Sequence, residues 1–324
     1  MLARSTHPTV RLAARALAAV LALGMTGCMS ALQGESSPEE DAVATKEHFE
    51  ESAQTYYEGG RYQQSVLMWR KVLELEPERQ KAKWGLAKSL AMIGTPQALR
   101  EAESIFPTIV DLDWTHPTLG DRRHEVLKDY AEVYSQLGDY YDQDVRALKT
   151  ELERPGANEA RIRQQITQQE AKRDQLLQKA IPLYLQVLSL SPDNPYAVAG
   201  LAKSYLQLRQ DAAGIQYARR YIAIAVRSQS SRTTLLKNYE QEKGVELTED
   251  MRKYFTDNID SARGKEMRIR LLLGSVLYRN HDYRGALAEY DRVLELDPKQ
   301  HAAMVERAQT KAALGDYRSA MADR

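Results

Sequence analysis

Residues 282–298 read DYRGALAEYDRVLELDP, and residues 61–77 read RYQQSVLMWRKVLELEP. Both segments carry an aromatic residue, then a small one, then a second aromatic at spacings of three and four residues, and both end in proline. Those spacings put the three side chains on one face of a helix, and proline ends a helix because it has no backbone N–H to donate. A third ending of this kind, Leu-Ser-Leu-Ser-Pro, occupies residues 188–192. The sequence therefore predicts one type of helix that recurs along the chain.

The spacing of small and aromatic residues around this helix also recurs, and Tyr283 and Tyr317 are one full period apart. The tetratricopeptide repeat (TPR) is a unit of two helices, A and B, spanning about 34 residues, with such residues at fixed positions. Over residues 46–324 the chain resembles this family. In the first unit, which begins at Lys46, positions 8, 11, 15, 17, 20, 24, 27 and 32 hold Ala53, Tyr56, Gly60, Tyr62, Ser65, Trp69, Val72 and Pro77. In the fifth unit, from Met267, they hold Gly274, Leu277, His281, Tyr283, Ala286, Tyr290, Val293 and Pro298.

The resemblance implies an all-α fold, an α-solenoid of about six TPR helix–turn–helix units with two helical insertions. The predicted segments are a lipoprotein signal peptide at 1–27, an acidic flexible tether at 28–45, units one and two with helix A of unit three at 46–140, a charged helical insertion at 141–177, helix B of unit three and unit four at 178–227, a helical insertion or decayed repeat at 228–266, and unit five with a partial unit six at 267–324.

The two insertions are predicted to be helical. The first contains Pro155-Gly156 at its centre, which favours a hairpin, and Pro182 is expected either to start or to kink the helix that follows. The second is expected to hold two helices divided near Gly244, with Thr248 as an N-cap. Insertions on a solenoid are either functional surfaces or tolerated decoration, and the sequence leaves both readings open.

The first residues have the composition of a secretory signal. Arg4, Arg11 and Arg15 precede an apolar run over residues 16–25, which is shorter than the roughly 20 residues of a membrane-spanning helix. The run ends Met25-Thr26-Gly27-Cys28, which resembles the bacterial lipobox. The resemblance implies that Cys28 is acylated, becomes the first residue of the mature protein, and anchors it to the periplasmic face of the outer membrane. The alternative is a plain cleavable signal.

The composition disfavours several classes of function. Lys plus Arg equals Asp plus Glu at 45 each, so the chain lacks the basic excess that is typical of nucleic-acid binding. Glycine-rich phosphate loops, His-Glu-x-x-His and Gly-x-Ser-x-Gly do not occur in the sequence. We therefore expect no catalytic activity, no cofactor, no metal site and no nucleic-acid partner.

The binding surface follows from the resemblance. In relatives, positions 2, 5, 9, 12 and 13 of each helix A line a concave groove. On this chain those positions include Tyr57, Trp84, Lys88, Lys128, Tyr196, Lys203, Tyr278 and Arg279. Aromatic and cationic residues suit an extended or helical peptide with some acidic character.

The function that the resemblance implies is a lipid-anchored scaffold for protein or peptide partners in the bacterial cell envelope, in outer-membrane assembly, pilus or secretion systems, or cell-wall complexes. One alternative is a structural, cell-wall-associated protein that acts through its helical insertions. A remote alternative is an accessory part of an enzyme. The partner and the oligomeric state stay open at this point.

Overall fold

The computed structural model describes residues 38–110, 122–154, 156, 158–241 and 249–323. They contain helices and, within those ranges, no strand. The helices are α1 (Pro38–Glu58), α2 (Tyr62–Leu75), α3 (Gln80–Ile93), α4 (Pro96–Ile105), α5 (Pro107–Val110), α6 (Arg123–Leu152), α7 (Glu159–Leu190), α8 (Pro195–Gln207), α9 (Asp211–Gln241), α10 (Glu249–Arg279), α11 (Tyr283–Leu296), α12 (His301–Ala313) and α13 (Tyr317–Ala322). Residues Phe49–Arg324 form one compact unit.

The helices of this unit pack in chain order as antiparallel pairs. The pairs α3–α4, α6–α7, α8–α9, α10–α11 and α12–α13 are each in contact. The first members α3, α6, α8, α10 and α12 also contact one another in succession, so the A helices form a continuous inner row. In a solenoid, each helix pair contacts the pairs before and after it in the chain. The contacts here have that pattern, which confirms the all-α solenoid predicted from the sequence.

Small residues let each pair approach closely. Position 8 of helix A is fully buried as Ala53, Ala87, Ala131 and Ala202 in the first four units. Aromatic side chains from helix B fill the space beside them, and Trp69, Tyr184 and Tyr290 are at most 2% exposed. The apolar core is continuous from α1 to α8, and a second core cluster continues it through α11.

Two glycines within A helices have a packing reason. A Cβ at Gly85 would lie 2.3 Å from the Trp69 ring, and a Cβ at Gly200 would lie 2.3 Å from the Tyr184 ring. In both cases the ring comes from helix B of the preceding unit, so the glycine receives the aromatic residue of its neighbour. A helical glycine costs about 1 kcal/mol relative to alanine, and here the close approach of ring and backbone offsets that cost.

The turn between helix A and helix B uses a left-handed residue. Gly60, Gly94 and Gly315 take φ of 71°, 70° and 86° at the equivalent turn position. Arg209 and His281 occupy the same position in units four and five, with φ of 62° and 63°. A side chain in this region clashes with its own backbone, so these two turns carry strain that the glycine turns lack.

The first insertion is an extension of one repeat. At the turn position of unit three Gly138 remains helical, and a Cβ there would lie 3.3 Å from Leu177 Cδ2. Helix α6 therefore continues to Leu152, and α7 starts at Glu159. Val145, Ile162 and Ile166 form a small core between the extended parts. Pro182 lies inside α7, and the helix therefore starts well before this residue.

The second insertion lies in the connection from helix B of one unit to helix A of the next. Helix B of unit four (α9) runs past its expected end, and helix A of unit five (α10) begins early. Gln229 Nε2 donates to Glu266 Oε2 at 2.7 Å, and Arg232 Nη1 donates to the Asn258 carbonyl at 3.2 Å. Gly244 and Thr248, the expected break and cap, lie outside the described residues.

The N-terminal boundary differs from the expectation. Helix α1 begins at Pro38, within the segment 28–45 that the sequence predicts as a flexible tether. Proline is well accepted in the first turn of a helix, since an N–H there lacks an intrahelical partner. The polar composition of residues 38–45 suggested a linker because it lacks apolar periodicity.

The strained turns give a stability prediction. We expect Arg209→Gly to raise the free energy of unfolding by roughly 0.5–1 kcal/mol, because an L side chain in this conformation is strained while glycine is not. Urea unfolding followed by circular dichroism measures the change. Gly60→Ala is the matched control at the same turn position and should lower stability; equal effects of the two substitutions would contradict the strain argument.

Candidate functional site

Side chains from successive A helices touch one another in a row, the A-helix line, formed by Tyr57, Lys88, Trp84, Lys128, Tyr196 and Lys265. At one end Lys88 Nζ lies 4.6 Å from the centroid of the Tyr57 ring and 5.7 Å from that of Trp84. At the other end the Tyr196 ring has two cations on it, Lys128 Nζ at 5.3 Å and Lys265 Nζ at 4.6 Å. Cations over aromatic faces attract electrostatically, so the line links units one to five.

Asp129 joins the two halves of this line. The Trp84 Nε1–H donates to Asp129 Oδ2 at 2.9 Å, and Lys128 Nζ contacts Asp129 Oδ1 at 2.9 Å. The Arg122 guanidinium carbon lies over the Trp84 ring, 4.5 Å from its centroid. The carboxylate therefore fixes both the orientation of Trp84 and the position of Lys128.

The members of the line differ in what they can offer a partner. The Tyr196 side chain is 51% exposed, whereas Trp84 is only 5% exposed. Among the described residues, neither Lys88 nor Lys265 forms an ion pair with a carboxylate. Trp84 is therefore a nearly buried part of the line, whereas Tyr196, Lys88 and Lys265 are the groups that a partner could contact.

The remaining predicted residues lie outside this line of contacts. Lys203 Nζ bonds Asp139 Oδ2 at 2.6 Å and Ser135 Oγ at 3.0 Å. The Tyr278 ring packs edge-on against Tyr283, with centroids 5.2 Å apart. Arg279 Nη2 pairs with Asp211 Oδ1 at 2.5 Å. These three side chains contact other partners, so the structure brings five of the eight predicted positions together in the A-helix line.

Tyr57 repeats the geometry of Tyr278 in the first unit. Its ring packs edge-on against Tyr62 with centroids 5.5 Å apart, which matches the Tyr278–Tyr283 pair at the same repeat positions. The recurrence shows that position 12 serves the packing of helix A on helix B. In unit one the Tyr57 ring also contacts Lys88, so it belongs both to the packing of the helices and to the A-helix line.

Three contributors were missed from the sequence: Arg122, Asp129 and Lys265. Arg122 and Lys265 lie outside the 34-residue repeat numbering, in the connection before α6 and in the extension of α10. Asp129 is at position 6, which family convention does not assign to the groove. A carboxylate beside Lys128 was visible in the sequence, but its hydrogen bond to an indole of the preceding unit was not.

Burial and charge shift the pKa values along the line. Burial, and then the negative charge of Asp129, raise the pKa of Tyr57 to about 12. Burial alone would lower the pKa of Lys128, but the adjacent Asp129 carboxylate outweighs it and the pKa is raised. Near neutral pH, Tyr57 is therefore uncharged and Lys128 is cationic, and neither side chain titrates in that range.

Across the described residues no three His, Cys, Asp or Glu side chains come together as metal ligands. No helix among the described segments is long and apolar enough to cross a bilayer. Cys28, the predicted acylation site, lies outside the described residues.

Comparison with known proteins identifies repeats at both ends of the compact unit. The family model of the tetratricopeptide repeat matches residues 51–103 and 271–323. The first segment holds α2, α3 and most of α4, and the second holds α11–α13, so both are tetratricopeptide repeats in sequence as well as in helix pairing. No curated protein matches the chain at the sequence level.

Solved structures with similar helix arrangements have low sequence identity. They include pilF of Pseudomonas aeruginosa, at 14% identity and a TM-score of 0.47, with 87% of this chain and 90% of that chain covered. A thermophilic TPR protein of Thermus thermophilus has 16% identity, a TM-score of 0.42 and coverage of 82% and 99%. YrrB, described as a TPR protein with an unusual peptide-binding site, has 13% identity, a TM-score of 0.41 and coverage of 79% and 88%.

The pKa of Tyr57 predicts sensitivity to alkali. A tyrosine whose folded pKa exceeds its ordinary value of 10.0 stabilises the fold below pH 10 and loses that contribution as the pH rises toward about 12. We expect Tyr57→Phe, which keeps the ring under Lys88, to reduce the loss of stability across that window. Melting temperatures measured between these pH values test it. Tyr317→Phe, at a side chain that is 69% exposed, should leave the loss unchanged; an identical profile for Tyr57→Phe and the wild type would refute the assignment.

Proposed function

We propose that this chain is a non-catalytic, lipid-anchored scaffold of the bacterial cell envelope that binds a protein segment along its A-helix line. The observation that carries the proposal is the continuity of that line, in which aromatic rings and cations from successive units lie in contact. A line of this kind crosses several repeats, so a bound segment would contact several units at once.

The chemistry of the available groups supports a partner with carboxylates. Lys88 and Lys265 each lie on an aromatic ring and have no acidic partner among the described residues. A partner carboxylate can reach either ammonium group without displacing an existing ion pair, which lowers the cost of binding. Tyr196 adds an exposed ring between them along the line, and rigid aromatic groups contribute strongly to interfaces.

The proposed site on the envelope follows from the N-terminal sequence. The basic start, the short apolar run and Cys28 after Met-Thr-Gly support acylation at that cysteine. Two or more acyl chains hold a protein at a bilayer where one does not. Met29 in place of Asp supports the outer membrane as the destination.

The groove is tested by in-cell crosslinking of the tagged full chain, with mass spectrometry of the proteins that co-purify. We expect Tyr196→Ala combined with Lys265→Gln to reduce capture of the main partners by about tenfold or more, because a few aromatic and cationic anchors dominate interfaces. Trp84 is less suitable for substitution, since it is nearly buried and bonded to Asp129.

A matched control uses the same residue types elsewhere. Tyr317 is 69% exposed, and Lys71 Nζ lies 4.9 Å from the Phe49 ring centroid on a B helix. Tyr317→Ala with Lys71→Gln should leave capture unchanged. Partners that survive the A-helix substitutions would reject the line as the binding surface and point to the 141–177 insertion. Recovery of cell wall and lipid alone would favour a structural role.

The anchor is tested separately with Cys28→Ser. We expect this substitution to abolish metabolic labelling with a palmitate analogue and to release the protein from the membrane fraction. Met29→Asp is the matched control, expected to keep the label and shift the protein to the inner membrane. Retention of the label in Cys28→Ser would exclude this cysteine as the acylation site, since the chain contains one cysteine.

A further inference from the structure

A charged network is buried at the base of the second extension, where α9 and α10 leave the array. Glu266 on α10 is fully buried, and Arg270, one turn further along, is 9% exposed. Glu266 Oε1 accepts from Arg270 Nε at 2.8 Å, and Glu266 Oε2 accepts from Gln229 Nε2 of α9 at 2.7 Å. Arg270 Nη1 donates to Glu289 Oε2 of α11 at 2.6 Å. These four residues, the α10 network, therefore join three helices.

The α10 network interrupts an apolar interface. On α9, Gln229 lies one turn after the buried Ala225, and on α10, Glu266 lies three residues before the buried Ile269. Ala225 and Ile269 belong to one core cluster, and residues three or four apart share one side of a helix. Polar and charged side chains thus occupy the positions at which the core of the array ends.

Stability alone gives little reason for this arrangement. Removing a carboxylate and a guanidinium from water costs free energy that their mutual attraction often does not recover, and apolar residues of similar volume often serve a fold as well. Hydrogen bonds require a direction, whereas apolar burial depends on area and not on direction. Both carboxylate oxygens of Glu266 have a donor, so a sliding or rotation of α10 would break at least one of these bonds. The network therefore specifies the register of α10 on its neighbours.

The residue next to this network belongs to the A-helix line. Lys265 directly precedes Glu266, so its side chain leaves α10 about 100° around the helix axis from that of Glu266. Helices α8 and α10 are in contact, and Lys265 Nζ lies 4.6 Å from the centroid of the Tyr196 ring on α8. A change in the register of α10 would therefore move Lys265 relative to this ring.

We propose that Glu266 and Arg270 are positioning residues of the A-helix line: their network fixes the register of α10 and thereby holds Lys265 on the Tyr196 ring. The base of the second extension is then part of the binding surface, and the buried charges keep it in place. The consequence for a bound segment rests on the proposed function, whereas the position of Lys265 is a property of the protein alone.

Lysine acetylation of the free full chain tests this positioning. The protein is treated with N-hydroxysuccinimidyl acetate, and the rate at each lysine is followed by mass spectrometry. We expect Glu266→Met combined with Arg270→Met to raise the rate at Lys265 about two- to fivefold, because an aromatic ring stabilises the unreactive ammonium form by about that factor at exposed sites. The double variant should fold, since it removes both buried charges together and the Glu289 side chain is 20% exposed.

Three controls separate positioning from a general loosening of the fold. Lys88, which also lies on aromatic rings, should react at an unchanged rate in the double variant. Lys149→Met with Glu170→Met removes the 3.2 Å pair between α6 and α7 in the first extension, and it should leave the rate at Lys265 unchanged. Glu266→Gln keeps hydrogen-bonding groups at the same place, so it should retain the slow rate at Lys265.

The opposite results overturn the positioning. An unchanged rate at Lys265 in the double variant, with or without a lower melting temperature, would show that the α10 network serves stability alone. An equal rise at Lys88 would show that the double substitution loosens the whole array. The rates are measured without a partner, so failure of the A-helix line as a binding surface is seen separately, in the crosslinking experiment.

Discussion

The close approach of helix backbone and aromatic ring is the constraint on which the array depends. Trp69 and Tyr184 lie so near Gly85 and Gly200 that a single added carbon would be 2.3 Å from the ring. Each ring comes from one unit and each glycine from the next, so the contact sets the spacing between consecutive pairs. That spacing in turn sets the distance between side chains on neighbouring A helices. The Lys–aromatic contacts of the A-helix line therefore depend on this packing between consecutive units.

Asp129 takes part both in the packing between units and in the A-helix line. Its carboxylate accepts the indole N–H of Trp84 and contacts Lys128, so one side chain both satisfies a nearly buried donor and positions a surface cation. A buried N–H without an acceptor costs roughly 1–3 kcal/mol. The polar contact between units two and three is thus part of the stability of the fold, and the orientation of Lys128 toward Tyr196 depends on it.

The sequence was sufficient for the repeat, and the groove residues it predicts stay a prediction. Regular positions such as Ala53, Trp69 and Tyr290 are buried where the pattern predicts them, because local spacing decides which side of a helix a residue occupies. Five of eight predicted groove residues meet in one line. The contributions of Arg122 and Lys265 could not be predicted, because both reach the line from segments outside the repeat pattern. The start of α1 at Pro38 was missed because a polar composition does not exclude a helix.

The two extended helix pairs leave the array at different kinds of connection. The extension of α6 and α7 replaces a turn from helix A to helix B, while that of α9 and α10 replaces a turn from helix B to the next helix A. In an antiparallel array these connections lie on opposite edges, and neither extension interrupts the row of A helices. The length of each extension is therefore free to vary beyond the base of α10 that carries Lys265. Turns can be added to or removed from the far end of either hairpin, changing what the protein reaches on each edge, while the spacing of the A helices stays constant.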